Sequence, residues 1–218
     1  MYTIENLYDL NHTLAIDGLR RHTYPWEALS EIKSMITQIG PELGEEYTEI
    51  SPQVWVHRTA TIAPTAFLGA PCIIGQRSEV RHCAFIRGAA LIGNDCVIGN
   101  SVELKNVILF DRVQVPHYNY VGDSILGYRA HMGAGSVTSN IKSDRTPVVI
   151  HGEEDMPTGI KKVGAFLGDY VEIGCNSVLN PGVIIGRNST VYPLSCVRGV
   201  VPESSIYKAG NVIVKKEA

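Results

Sequence analysis

The sequence is poor in the features that mark nucleic-acid-binding, membrane-spanning and disulfide-bonded proteins. It has 19 Lys and Arg against 22 Asp and Glu, a net charge of −3 and a pI near 6.2. No basic run or aromatic ladder offers a groove to a polyanion, so nucleic acid is not expected as a partner. No apolar stretch approaches the ~20 residues of a bilayer span, and Met1 to Asp9 lacks a basic-then-apolar signal pattern. A soluble, cytoplasmic chain with no membrane partner is expected. The five cysteines (Cys72, Cys83, Cys96, Cys175, Cys196) are odd in number and without a CxxC spacing. They mostly fall inside a repeat, as small buried thiols do. Seven histidines invite a metal reading, but no HxxxH or similar close pair exists. Zinc needs about three convergent ligands, and no metal site is expected.

What the chain has instead is a period. From Ile62 through Leu68, Ile74, Val80, Ile86, Ile92, Ile98, Leu104 and Phe110 every sixth residue is large and apolar, and the beat resumes at Leu167, Ile173, Leu179, Ile185, Val191 and Val197. The next residue is usually small or turn-forming (Ala63, Gly69, Gly75, Gly93, Gly99), so each hexad reads as a short strand ending in a corner. Stacked hexads make an all-β solenoid, a parallel β-helix. We expect it over residues 51–205, with a helical segment at 1–50, an inserted loop at about 139–164 and a tail at 206–218. In the N-terminal part, Leu29, Ile32, Ile36 and Ile39 have helical spacing, with Pro25 suited to the first turn and Gly40-Pro41 to the stop. Asn6 to Arg21 suggests a second short helix. The beat slips between Phe110 and Leu126, and the excursion from Ser139 to Gly164 is long enough to be an active-site lid or an intersubunit arm.

With three hexads to a coil, Arg87 and Lys105 share one corner, about 4.8 Å apart between backbones. Two cations that close repel by about 1 kcal/mol in water. A bound anion would turn this cost into attraction. Alternatively, each head reaches solvent or pairs with Glu103 or Asp111. In the slipped stretch lies His117, whose imidazole suits proton abstraction near neutral pH, although a lone His is also a common surface group. Asp123 either orients that ring or forms a turn.

Several stretches resemble the hexapeptide-repeat acyltransferases. They are Ile86-Arg87-Gly88, Glu103-Leu104-Lys105-Asn106, the run from His117 to Asp123, Met132 to Asn140 and Lys161 to Asp169. Together they are similar to the acetyltransferase domain of the bifunctional enzymes that make UDP-N-acetylglucosamine, and most of all to the archaeal-type sugar-1-phosphate acetyltransferases. The resemblance covers residues 54–208. It implies a left-handed parallel β-helix, assembled as a homotrimer, with acetyl-CoA and an amino-sugar phosphate bound between subunits. It also implies His117 as general base, Arg87, Lys105, Tyr120, His131 and Lys162 as substrate-binding, and Ala134, Asn140 and Cys175 as lining acetyl-CoA. His131 stands where the bacterial enzymes carry an amide. No glycine-rich nucleotide loop is present, so a nucleotidyltransferase domain is not expected in this sequence.

Three functions follow from these readings. The first is acetyl transfer to glucosamine-1-phosphate or galactosamine-1-phosphate in nucleotide-sugar biosynthesis. The second is a non-catalytic β-helix subunit that binds a sugar phosphate or sugar nucleotide. The third is a zinc-dependent hydratase of the carbonic-anhydrase type.

Overall fold

This computed structural model describes residues 2–217 as a parallel β-helix with a helical segment laid along one side. Each coil has three short strands, and equivalent residues of successive coils pair in parallel. We number the faces by order in the chain. The first carries Val54–His57, Cys72–Ile74 and Ala90–Ile92, the second Thr61–Ile62 and Glu79–Val80, and the third Phe67–Leu68 and Phe85–Ile86. The hexad residues point inward. Ile74, Ile86, Ile92, Ile98, Leu104, Val115, Val121 and Leu167 have no exposed surface, and burying each contributes about 1.5–3 kcal/mol.

The slip in the beat has a geometric cause. Leu109, not Phe110, sits in register with Ile92, and Leu126 with Leu109. The inward steps from Leu104 to Leu109 and from Val121 to Leu126 are therefore five residues each. Both five-residue steps fall at the same corner, between the third face and the first. This corner is so tight that Glu103–Leu109 and Tyr120–Leu126 run through it as continuous strands. Phe110 is still buried, against Tyr8, with ring centroids 5.1 Å apart.

The N-terminal segment is three short α-helices, α1 (Ile4–Leu7), α2 (Ile16–Leu19) and α3 (Ile32–Ile39), linked by 3-10 turns. Pro25–Ser30 is one of these 3-10 turns, so the helix expected from Pro25 begins only at Ile32. Asn6 to Arg21 holds separate turns rather than one helix. The segment covers the first face, where the outward residues Ile73, Leu91, Ile108, Ile125, Phe166 and Ile184 are all fully buried. The first-face strands read as unbroken apolar runs (Cys72–Ile74, Ala165–Leu167, Val183–Ile185) because both of their sides are covered. Polar anchors fix the register of this packing. The Asp9 amide donates to Asp169 at 2.8 Å, the Asp111 amide to the His12 carbonyl at 2.9 Å, and the Tyr8 hydroxyl to the Ile125 carbonyl at 3.3 Å. Burial raises the carboxyl pKa of both Asp169 and Asp111, against the hydrogen bonds each accepts.

Antiparallel hairpins close both ends of the stack. Tyr47–Ser51 pairs with Val54–His57, and Ser205–Lys208 with Val212–Lys215. Each turns a parallel edge into a short protected one. The insertion leaves after Val137–Thr138 and returns at Ala165–Leu167. It is not structureless. Val149–His151 and Asp155–Pro157 form a hairpin, and Val148 and Ile150 are buried over the Gly182 corner of the same chain.

The cysteine expectation holds only in part. Cys72 and Cys96 are buried thiols pushed up to about 12 by burial. Cys83, Cys175 and Cys196 are exposed, because they occupy corners or outward strand positions rather than inward ones.

Candidate functional site

The third face is bounded by two edges, and the candidate residues divide between them. On the edge shared with the second face, His82, Asn100, His117, Ala134 and Cys175 stack one per coil. At each level the following N–H reaches back to the preceding carbonyl: Ser101 to His82, Tyr118 to Asn100, Gly135 to His117 and Asn176 to Ala134, at 2.8–3.2 Å. Tyr118 and Asn176 hold positive φ to make this turn, at 52° and 55°. Pro116 sits beside His117, and the coil below meets it with Gly99, where any Cβ would overlap the Pro116 carbonyl. The His117 backbone is further fixed by the buried Asn119, whose Oδ1 accepts its N–H at 3.1 Å and whose amide donates to Gly133 and Ser136. The imidazole itself is exposed, and no hydrogen bond or ion pair to it occurs among the described residues. A rigid corner thus presents a free imidazole.

The opposite edge, shared with the first face, carries the charged groups. Arg87 and Lys105 stand one coil apart, as their spacing predicts. Neither awaits an anion to offset repulsion. Arg87 is paired with Glu103 at 2.8 Å, and Lys105 donates to both oxygens of Asp123 at 2.8 and 3.1 Å. Asp111 plays no part, since it lies under the N-terminal segment. Nor does Asp123 orient His117. It faces the far edge, with its side chain 4% exposed.

Asp123 is the hub of this edge. Asn106, Asp123 and Asn140 occupy equivalent positions in successive coils. Besides Lys105, Asp123 accepts from Asn106 Nδ2 at 3.0 Å and from Asn140 Nδ2 at 2.6 Å. An ionised carboxylate only accepts, so this contact fixes which way the Asn140 amide points. Its nitrogen is used on Asp123 and on Tyr120 Oη (3.1 Å), which leaves its oxygen as the free atom. Tyr120 lies over Gly122, whose missing Cβ makes room for the hydroxyl. Burial, with Asp123 and Glu103 nearby, raises the Tyr120 pKa. The phenol therefore keeps a proton to donate. Lys162 belongs to the neck of the insertion, where it bridges Ile141 next to Asn140.

Arg87, Lys105, Tyr120, Asn140 and Lys162 thus share one edge, and His117, Ala134 and Cys175 the other. His131 joins neither within one chain. It starts a second-face strand and pairs with Glu172 at 2.8 Å, lining a cavity of about 570 Å³ with Arg112, Arg129 and Tyr170. Sequence reasoning gave Asn106 and Asn119 no role of their own, although both lie in the stretches that carry the resemblance. No three His, Cys, Asp or Glu side chains converge on a metal-sized site among the described residues.

Residues 73–173 match the GMPPB C-terminal domain, and residues 164–199 the bacterial transferase hexapeptide (six repeats). The bifunctional protein GlmU of Methanococcus maripaludis is 30% identical over 200 residues, covering 89% of this chain and 48% of that protein. A bifunctional sugar-1-phosphate nucleotidylyltransferase/acetyltransferase of Sulfurisphaera tokodaii is 33% identical over 109 residues, covering 50% and 27% respectively. Among solved structures, the acetyltransferase domain of PglB from Neisseria gonorrhoeae overlays with a TM-score of 0.37 at 13% identity, covering 86% of this chain and 66% of that one. The chain spans about half the length of the GlmU proteins it matches. Over most of its length the chain is similar to the C-terminal half of the GlmU proteins, and over half of it to an archaeal sugar-1-phosphate nucleotidylyltransferase/acetyltransferase, while residues 164–199 match the hexapeptide repeats of bacterial transferases.

Proposed function

We propose that the chain is an acetyl-CoA-dependent N-acetyltransferase acting on an amino-sugar phosphate, as a homotrimer with sites between subunits. The observation that carries this reading is the division of the candidate residues between two edges of one exposed face. Phe67, Phe85 and Val178 are 58%, 43% and 37% exposed on that face, and the Phe67 and Phe85 rings pack as a tilted pair with centroids 5.5 Å apart. These exposed apolar side chains run along the face as a stripe interrupted by Glu103, which lies in register between Phe85 and Tyr120, and exposed apolar surface of this kind supports an interaction surface here. A cyclic assembly about that stripe sets the His117 edge of one copy beside the cation edge of the next.

In that cleft Arg87, Lys105 and Lys162 outnumber Glu103 and Asp123, so the edge keeps net positive charge for a phosphate. His117 accepts the proton of the sugar amine as its nitrogen attacks the thioester carbonyl. The C–N bond forms, the C–S bond breaks, and the leaving thiolate takes up a proton. Acetyl-CoA supplies the acyl group along the edge of Ala134 and Cys175. General base catalysis of this type contributes about 10²–10⁴-fold.

Coenzyme A release from acetyl-CoA, measured with glucosamine-1-phosphate, galactosamine-1-phosphate and the unphosphorylated sugars, tests the proposal. We expect release with one phosphorylated amino sugar and a loss of at least about 10²-fold in His117→Ala. Tight sugar-phosphate binding with no release would make the chain a binding subunit instead.

A further inference from the structure

The hydrogen bonds around Asp123 do not end at the cation edge. Asn106 Nδ2, which donates to Asp123 at 3.0 Å, also donates to the Leu29 carbonyl at 3.1 Å. Leu29 is a buried residue of the 3-10 turn Pro25–Ser30, which packs on the strand Tyr120–Leu126. A continuous chain thus runs from the N-terminal segment through Asn106 and Asp123 to Lys105 and Asn140.

We infer that Asp123 is a positioning residue for the phosphate-binding edge, and that the N-terminal segment, through Leu29 and Asn106, is a structural part of that site. The inference rests on the acetyltransferase reading for the identity of the ligand. Asp123 receives four hydrogen bonds from three side chains, two on each oxygen. Only a carboxylate satisfies all four. An ammonium on a four-carbon stem otherwise samples many rotamers, and ordering it costs conformational entropy. Here the cost is met in folding. Asp123 engages two of the three Lys105 N–H donors and leaves the third for a ligand. It also sets the Asn140 amide with its oxygen outward. Both Asn106 and Asp123 hold positive φ, at 54° and 48°, so the corner that aims them is specific to residues that tolerate that conformation.

Asp123→Asn is the direct test, because Asn keeps the backbone conformation and the volume. Its amide nitrogen would face the donors of Asn140 or Lys105, and one of them must move. Asn106→Gly removes the bridge to Leu29 without backbone strain. Calorimetry of glucosamine-1-phosphate or galactosamine-1-phosphate, whichever the native protein binds, should show affinity at least about tenfold weaker in Asp123→Asn. A smaller loss in the same direction is expected in Asn106→Gly. In turnover, the KM for the phosphorylated sugar should rise more than the KM for acetyl-CoA, which feels the change only through Asn140. Unchanged affinity would make Asp123 a purely structural residue. Tighter binding would make it a competitor for Lys105. Either result overturns the inference while leaving the acetyltransferase reading intact, whereas absence of binding by the native protein would strike at the acetyltransferase reading instead. A ¹⁵N spectrum of the lysine ammonium groups gives a ligand-free check. Lys105 should be protected from exchange in the native protein and lose that protection in Asp123→Asn.

Discussion

His117 and Asp123 are six residues apart in the sequence and lie at opposite edges of the third face, and their difference in environment supports the different roles proposed for them. The imidazole is exposed and unpartnered among the described residues, as suits a group that must exchange a proton with a substrate. The carboxylate is buried and saturated, as suits a group that holds others still. The sequence placed both in one motif but not on separate edges, because the positive φ at Tyr118 turns the chain between them, and no residue type there announces it. The cysteines give a test at the same scale. Thiolate is the reactive form, and burial pushes Cys72 and Cys96 up to about 12. Alkylation of the native protein followed by mass spectrometry should leave these two unmodified until the fold is opened, whereas Cys83 should react at once. Rapid labelling of Cys72 or Cys96 would mean that the inward positions are misassigned.

The element that decides the site is the corner. Where the third face meets the first, the two five-residue steps bring Lys105, Asn106 and Asp123 together. Where the second face meets the third, Gly99 admits Pro116 and so seats His117. Gly99→Ala should destabilise the fold by about 1–3 kcal/mol, the usual cost of overpacking, and lower activity more than the sugar-phosphate affinity. Thermal melts with calorimetry would show this split, and an unchanged melting temperature would refute the close approach. Much of this element was legible beforehand. The hexads, the stacking of Arg87 on Lys105 and the insertion are all carried by spacing. The exact register after Leu104 was not, because Leu109 and Phe110 are adjacent and both apolar, and periodicity alone does not choose between them. The placement of the N-terminal segment was readable in principle. First-face triplets such as Cys72–Ile74 and Val183–Ile185 lack the alternation of a face open to water.

At the scale of the whole molecule, the proposed function has one chain present half a site on each side of the third face. The first face is closed by the chain's own N-terminal segment and the two ends by hairpins, and of the two remaining faces the third carries the exposed Phe67, Phe85 and Val178, which is why we propose it as the surface through which copies meet. The most direct measurement mixes two inactive variants, His117→Ala and Lys105→Met, by unfolding and refolding them together and following acetyl transfer. If His117 of one copy works with Lys105 of the next, randomly mixed trimers hold intact sites at about one position in four. Activity should then recover to about a quarter of the native value. Native protein that is active, with mixtures no more active than either variant alone, would contradict a site shared between copies.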